Sequence, residues 1–328
     1  MAWDTGLNVS RWAKQLAYEV GKEIYFSKFM GDTFGSMICS KTMPEGKGKD
    51  ITFGMVGLTG TAVTGDSTLE GSEDNLTSNE VTVTTAQRRF GVINAGKFDD
   101  SKVLYNFRKE ALAQLKREFA EDHDAQIFSA ITKTSGAGAY LRADNSASVY
   151  AATDPKADLA SADLAVPGDI SKLKKMAMLG TTKSYKMKPI RVNGKDYFVL
   201  LLHPESAYDL AQDSTWRNAQ QYANIRGEDN PIFSGALGVY DGVVVHEHEG
   251  ITTASDGGGA SVNYARNLFL GAGAACYAKT DNMSWVEKTF DYGNKLGVAA
   301  GQIYGAALST FDSKEYAVIQ YITARTDL

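Results

Sequence analysis

With 328 residues, 43% of them hydrophobic and 22% charged, the chain has ordinary globular composition and material for one large domain or two medium ones, which argues against disorder. A formal net charge of −5 disfavours a surface built to neutralise many phosphates, and with it a dedicated nucleic-acid reader. Cys39 and Cys276 form no CxxC pair, which suits a reducing cytosol, offers no metal framework and marks both as small core residues.

The N-terminal stretch has no apolar run of signal-peptide type, and no later segment reaches membrane-spanning length, so the expectation is a protein folded in cytosol with no membrane partner. Over residues 10–29, Trp12, Leu16, Val20, Ile24 and Phe26 recur at three- and four-residue intervals, predicting a helix capped by Ser10. Residues 30–50 are rich in Gly, Ser, Thr and Lys, so this helix reads as an arm joined to the body by an extended segment. The alternative is a helix folded back on its own domain.

Two strands are expected at Ile51–Val56 and Glu80–Ile93, with Gly57–Asn79 between them almost entirely Gly, Thr, Ser, Asp, Glu and Asn. Residues 51–87 hold Asp66, Glu70, Glu73, Asp74 and Glu80 and not one Lys or Arg. A loop so long, with no core of its own, needs a surface to lie on. The functional reading is a hairpin that docks, acid side down, on a basic patch of a neighbouring subunit; the bland one is a mobile surface loop.

Residues 102–133 carry the longest helical pattern, with Leu104, Phe107, Ala111, Leu115, Phe119, Ile127, Phe128 and Ile131 in one stripe and Asp99, Asp100 and Ser101 at its start. Residues 134–167 are low in hydrophobicity and read as a connection between two lobes. In the second lobe Asp169 is expected to cap a helix, Tyr197–Leu202 to form a buried central strand, and His203-Pro204-Glu205 and Asp213-Ser214 to start two further helices. Leu268–Ala278, Trp285–Phe290, Gly301–Leu308 and Tyr316–Ile322 read as strands around the turns Asp291-Tyr292-Gly293-Asn294 and Phe311-Asp312-Ser313-Lys314.

Candidate chemistry is sparse. In His246-Glu247-His248-Glu249 a strand would put both histidines on one face, where they could bind one metal only with a third ligand from elsewhere; the competing reading is structural. Leu270-Gly271-Ala272-Gly273-Ala274-Ala275-Cys276 matches a dinucleotide loop only in its first two glycines and reads better as a closely packed strand. No GxSxG elbow occurs, and no two carboxylates can be paired across a cleft from sequence. No catalytic residue and no cofactor is therefore expected.

The order of parts, together with Leu200-Leu201-Leu202-His203-Pro204, the Asn230-Pro231…Phe233…Gly235…Leu237-Gly238…Tyr240-Asp241-Gly242-Val243 segment and Asp291-Tyr292-Gly293…Ile303-Tyr304-Gly305, resembles the major capsid proteins of tailed bacteriophages. The likeness is to the Hong Kong 97-like fold, and within it to the coliphage N-four-type capsid family. It implies an α+β fold with residues 1–45 as N-terminal arm, 46–96 as extended loop, 97–167 as peripheral domain with the spine helix and a connection, 168–280 as axial domain and 281–328 as returning peripheral strands. It further implies hexamers and pentamers of an icosahedral shell around double-stranded DNA, formed in the host cytoplasm. Contacts between subunits would use Trp12, Leu16 and the five hairpin carboxylates. Portal, scaffold and cement or decoration proteins are the further partners it implies. Some relatives weld subunits through a lysine on the extended loop; residues 51–87 lack one, so that chemistry is not expected there. An encapsulin-type compartment shares the fold, and a metal-dependent enzyme built on His246 and His248 is the reading of another class.

Overall fold

The computed structural model describes residues 5–43, 49–56, 64–66, 68, 70, 78–94, 96–97, 106–132, 138–143, 147–151, 156–179, 186–192, 194–222, 236–258, 262–311 and 314–326. In chain order these form helix α1 (Thr5–Glu23), a 3-10 turn (Tyr25–Phe29), β1 (Met30–Gly31), β2 (Ile38–Thr42), β3 (Asp50–Val56), β4 (Ser78–Thr84), β5 (Ala86–Ile93) and α2 (Phe107–Ile131). Next come β6 (Gly138–Arg142), β7 (Ala147–Ala151), α3 (Pro167–Leu179), β8 (Ile190–Val192), β9 (Lys195–Leu202), α4 (Pro204–Gln212) and α5 (Ser214–Tyr222). The chain ends with β10 (Ala236–Tyr240), β11 (Val243–Glu247), β12 (Thr253–Gly257), β13 (Val262–Leu270), β14 (Ala275–Lys279), β15 (Ser284–Phe290), β16 (Lys295–Leu308), β17 (Thr310–Phe311), β18 (Lys314–Glu315) and β19 (Val318–Ala324).

Two mixed sheets organise these elements into an α+β fold. The first runs β1-β2-β14-β16-β15, with β5 on the free side of β16; the second runs β10-β11-β9-β13-β19-β6-β7, with β12 on β13 and β8 on β9. Helix α2 covers the first sheet because Ala111, Leu115, Phe119, Ile127, Phe128 and Ile131 line one stripe and are all buried. Its N-cap is Asn106, whose side chain accepts from the Arg108 amide at 3.1 Å. Asp99, Asp100 and Ser101 lie outside the described residues. The run Tyr197–Leu202 is continuous rather than alternating because both faces of β9 are covered. Val199 and Leu201 join the core under α2, while Phe198, Leu200 and Leu202 join the core with Leu173 and Leu210 of α3 and α4.

Several expectations change. Helix α1 starts at Thr5 rather than Ser10 and is not a free arm: Leu16 and Val20 are buried against α2. The strand expected over Glu80–Ile93 is two, because the chain bends at buried Thr85, where both its amide and its hydroxyl donate to Lys49 O. The connection expected over 134–167 contains β6 and β7, which pair onto β19 and each other. Asp169 lies inside the first turn of α3, which begins at Pro167; its buried carboxylate accepts from Tyr321 OH at 2.8 Å and from Lys172 Nζ at 3.1 Å. His203 and Asp213 do sit at the starts of α4 and α5, with Asp213 accepting from the Thr215 amide at 2.7 Å.

The strand expected over Leu268–Ala278 also divides. β13 ends in the second sheet and β14 begins in the first, and Gly271-Ala272-Gly273-Ala274 carries the chain between them. A Cβ on Gly271 would meet Lys188 O at 2.7 Å, and Gly273 has φ +74, so the passage needs glycine for contact at one position and for conformation at the other. The sheets therefore divide the chain differently from a boundary at 280: β14 belongs with the first sheet, and β19 lies inside the second between β13 and β6.

Candidate functional site: the hairpin, the helix groove and the histidines

β3 and β4 pair in antiparallel register from Asp50↔Thr84 to Val56↔Ser78. Alternation turns Phe53, Met55, Val81 and Val83 inward onto Cys39, Cys276 and Ala278. The two cysteines are register partners on parallel β2 and β14, both buried and free. Met55 Sδ accepts from Tyr316 OH at 3.3 Å, and Asn79 Nδ2 donates to Thr310 O at 2.8 Å, fastening the base of the hairpin to the body. The other face, with Val56, Glu80 and Thr82, is exposed, as are Asp66 and Glu70 further out; Glu73 and Asp74 lie outside the described residues.

Leu16 differs from the expected inter-subunit role. Leu16 is fully buried in the chain's own core, so in this conformation it offers no surface to a neighbour; α2 supplies the cover that an arm would have sought elsewhere. Trp12 is half-buried and stacks on Trp285, ring centroids 6.0 Å apart. It lines a groove between α1 and α2, of about 510 Å³, together with Arg11, Glu19, Lys109, Leu112 and Lys116.

The two histidines of the HEHE run do not share a strand face, because His246 is on β11 and His248 lies beyond its end. β11 ends at Glu247; His246 is buried, and the ring of His248 lies 4.2 Å from that of Tyr25 and 4.8 Å from that of Phe128. His248 Nδ1 accepts from the Gly250 amide at 2.9 Å, and burial lowers its pKa. Among the described residues no group of three or more His, Cys, Asp or Glu could hold a metal. Both rings serve the packing of the 3-10 turn between α2 and the end of β11.

The more developed polar cluster is one that sequence reading missed. Gln302 Nε2 donates to Thr280 O at 2.6 Å, which turns Gln302 Oε1 toward His123 Nε2 at 3.1 Å. The proton of His123 is thereby assigned to Nε2, and Nδ1 accepts from Tyr277 OH at 2.5 Å. Tyr304, stacked on the same imidazole, donates to Asp122, which pairs with Arg88 at 3.4 Å. Burial pushes the His123 pKa down to about 3. At the next position along α2, Asp124 accepts from the amides of Tyr25 and Phe26 at 2.8 and 3.2 Å, and burial pushes its pKa up to about 6. A lone histidine inside a helical pattern carries no signal for any of this, because its partners come from β14 and β16.

The sequence matches the model of a family described as phage capsid protein over residues 1–323. The chain belongs to the phage capsid protein family. This capsid chain is 26% identical over 344 residues to the major capsid protein of Pseudomonas phage KPP25, covering 92% of this chain and 89% of that one. The capsid of Ralstonia phage GP4 superposes with a TM-score of 0.79 at 28% identity, over 93% of this chain and 92% of the other. The Cyanophage Pam1 capsid has the same fold, with a TM-score of 0.73 at 20% identity and 92% of each chain covered. The fold is the Hong Kong 97-like capsid fold, and the protein is a structural component of a phage capsid that associates with its own kind.

Proposed function

We propose that this chain is the major shell subunit of a tailed-phage head, arranged in hexamers and pentamers around double-stranded DNA and assembled in the host cytoplasm. The observation that carries the reading is the family match along nearly the whole chain, and the fold supports it. The lobe built on the first sheet, with α1 and α2, takes the peripheral role, and the lobe built on the second sheet, with α3 to α5, the axial one. The segment Asp291-Tyr292-Gly293 and the run Ile303-Tyr304-Gly305 support kinship with the coliphage N-four-type capsids.

The hairpin supports the same reading physically. Its base has a core, whereas the acid-bearing part beyond Val56 and Ser78 exposes carboxylates that an assembly can pair. Without a lysine over 51–87, cohesion between subunits comes from non-covalent contacts, to which a cement protein can add; scaffold and portal are further partners of this role. Negative-stain electron microscopy of the purified, heterologously expressed chain tests the proposal. Uniform closed shells or isolated capsomers are expected, and a small monomer or dimer that never assembles at any concentration would overturn it.

A further inference from the structure

We propose that Cys39 and Cys276 are a latent staple, two thiols that stay reduced while the chain folds and are joined later into an intrachain disulfide by a low-molecular-weight disulfide. The timing rests on the shell reading above, which puts folding in a reducing cytosol and the finished particle outside it; the pairing does not. The two residues are register partners on adjacent parallel strands, β2 and β14, and both side chains lie on the face that the hairpin base covers. Neighbouring strands stand about 4.7–4.9 Å apart, inside the Cα spacing of about 4.4–6.8 Å that a disulfide spans.

The row that they share across the first sheet is Gly31, Cys39, Cys276, Ala307. Each cysteine has a neighbour with no more than a methyl group on its outer side and the other cysteine on its inner side, so the sulfurs can turn toward each other without displacing a larger side chain of that row. The bond would fasten a weakly held strand. β2 has only the two-residue β1 on its other side, so β14 alone ties the segment from α1 to β2 into the sheet. The loop it closes takes in the hairpin, α2 and most strands of the second sheet, and long closed loops restrict the unfolded chain most.

The chemistry is thiol–disulfide exchange. The thiolate of one cysteine attacks a sulfur of the reagent, whose other half leaves as a thiolate and takes up a proton. The thiolate of the second cysteine then attacks the protein sulfur of the mixed disulfide and expels the remaining half. Two S–H bonds are lost, one S–S bond forms between the strands, and the reagent is reduced to two thiols. Burial sets the rate. Both sulfurs are buried, and burial raises both thiol pKa values, that of Cys276 to about 12, with Lys41 opposing the shift. Phe53, Met55, Val81 and Val83 form the cover, and Met55 Sδ is held by Ser309 Oγ at 3.6 Å and Tyr316 OH at 3.3 Å. A thiolate meets the reagent only when the base of the hairpin lifts, which keeps the pair open through folding and assembly.

The test exposes the unassembled full-length chain to oxidised glutathione and reads it by peptide mass mapping and thermal unfolding. Both thiols should disappear together, and the peptides that carry Cys39 and Cys276 should appear as one cross-linked species from within a single chain, lighter by two hydrogens. The unfolding midpoint should rise by roughly 5 °C and fall back with dithiothreitol. Cys276→Ala should abolish the rise. Met55→Ala, which opens the cover, should speed oxidation about tenfold. A stable glutathione adduct on one cysteine, a link between copies, or two thiols still free in the Met55→Ala chain or in sub-denaturing urea would overturn the staple while leaving the shell reading intact. A chain that staples yet never assembles overturns the shell reading alone.

Discussion

His123 keeps its place between α2 and the first sheet only while neutral, because Gln302 takes its one proton and its second nitrogen must accept from Tyr277. With a pKa near 3 in the fold against an ordinary 6.5, the unfolded chain binds a proton in that window that the folded chain does not. Stability therefore falls as pH drops from 6.5 toward 3, by on the order of 2–4 kcal/mol from this group. Asp124 acts in the opposite sense: its pKa is raised to about 6, so its contribution is full below 3.8 and is lost as pH rises to 6. Urea titrations of Asp124→Asn should show the variant gaining on the natural chain as pH rises from 4 to 6, since the amide still accepts one hydrogen bond without a buried charge. A constant offset across that range would refute the assignment. His123→Phe should lose about 2–3 kcal/mol at pH 7, because Tyr277 OH and Gln302 Oε1 are left buried without their partner. It should also flatten the acid limb of the same titration.

At the scale of elements, α2 stands out: 25 residues at about 1.5 Å each give a rod of roughly 37 Å that one sheet and α1 use as common cover. Phe119, fully buried and edge-on to Phe90 at 4.8 Å, lies at the centre of that contact. Its replacement by Ala should cost about 3–5 kcal/mol in equilibrium unfolding. Gly305→Ala should be damaging for a different reason, because its Cβ would stand 2.4 Å from Thr84 O, just where the hairpin strand turns into β5. Either a lowered unfolding midpoint or faster proteolysis between residues 50 and 84 would report it. α2 was legible because Leu115, Phe119 and Ile127 repeat with the helical period. The break at Thr85 was not: Val81, Val83 and Thr85 alternate with polar neighbours, and the hydrogen bonds to Lys49 O show the bend. β6 and β7 were read as a connection because their residues are small and polar, and what makes them strands is the edge of β19, 180 residues away. The stripe of α1 showed that Leu16 needed cover without saying which element supplies it. Arg11 and Lys109 belong to different helices, so the groove they share existed for no local pattern.

For the whole molecule, assembly joins surfaces rather than cores. Charge pairs at such surfaces are screened over about 10 Å at 0.1 M salt, so the threshold for shell formation should rise between 0.05 and 0.5 M on the order-of-magnitude scale set by that length. Charge reversal at Glu70 should blunt the salt response, and a threshold indifferent to both would mean that the hairpin carboxylates take no part. The two sheets meet along one continuous apolar core, in which Val199 and Leu268 of the second touch the cluster that holds Leu115 and Tyr277 of the first. Both sheets should therefore melt in one calorimetric transition, and two resolved transitions would show the lobes to be independent.

The passage Gly271-Ala272-Gly273-Ala274 has a mechanical consequence. It links β13, held on both sides by β9 and β19, to β14, held on both sides by β2 and β16. A tension that drew the lobes apart would travel along this backbone and load both strands in shear. Their ladders would then have to yield as a block instead of peeling open one rung at a time. Within a pressurised container, four small residues, two of them glycine, would be its tendon.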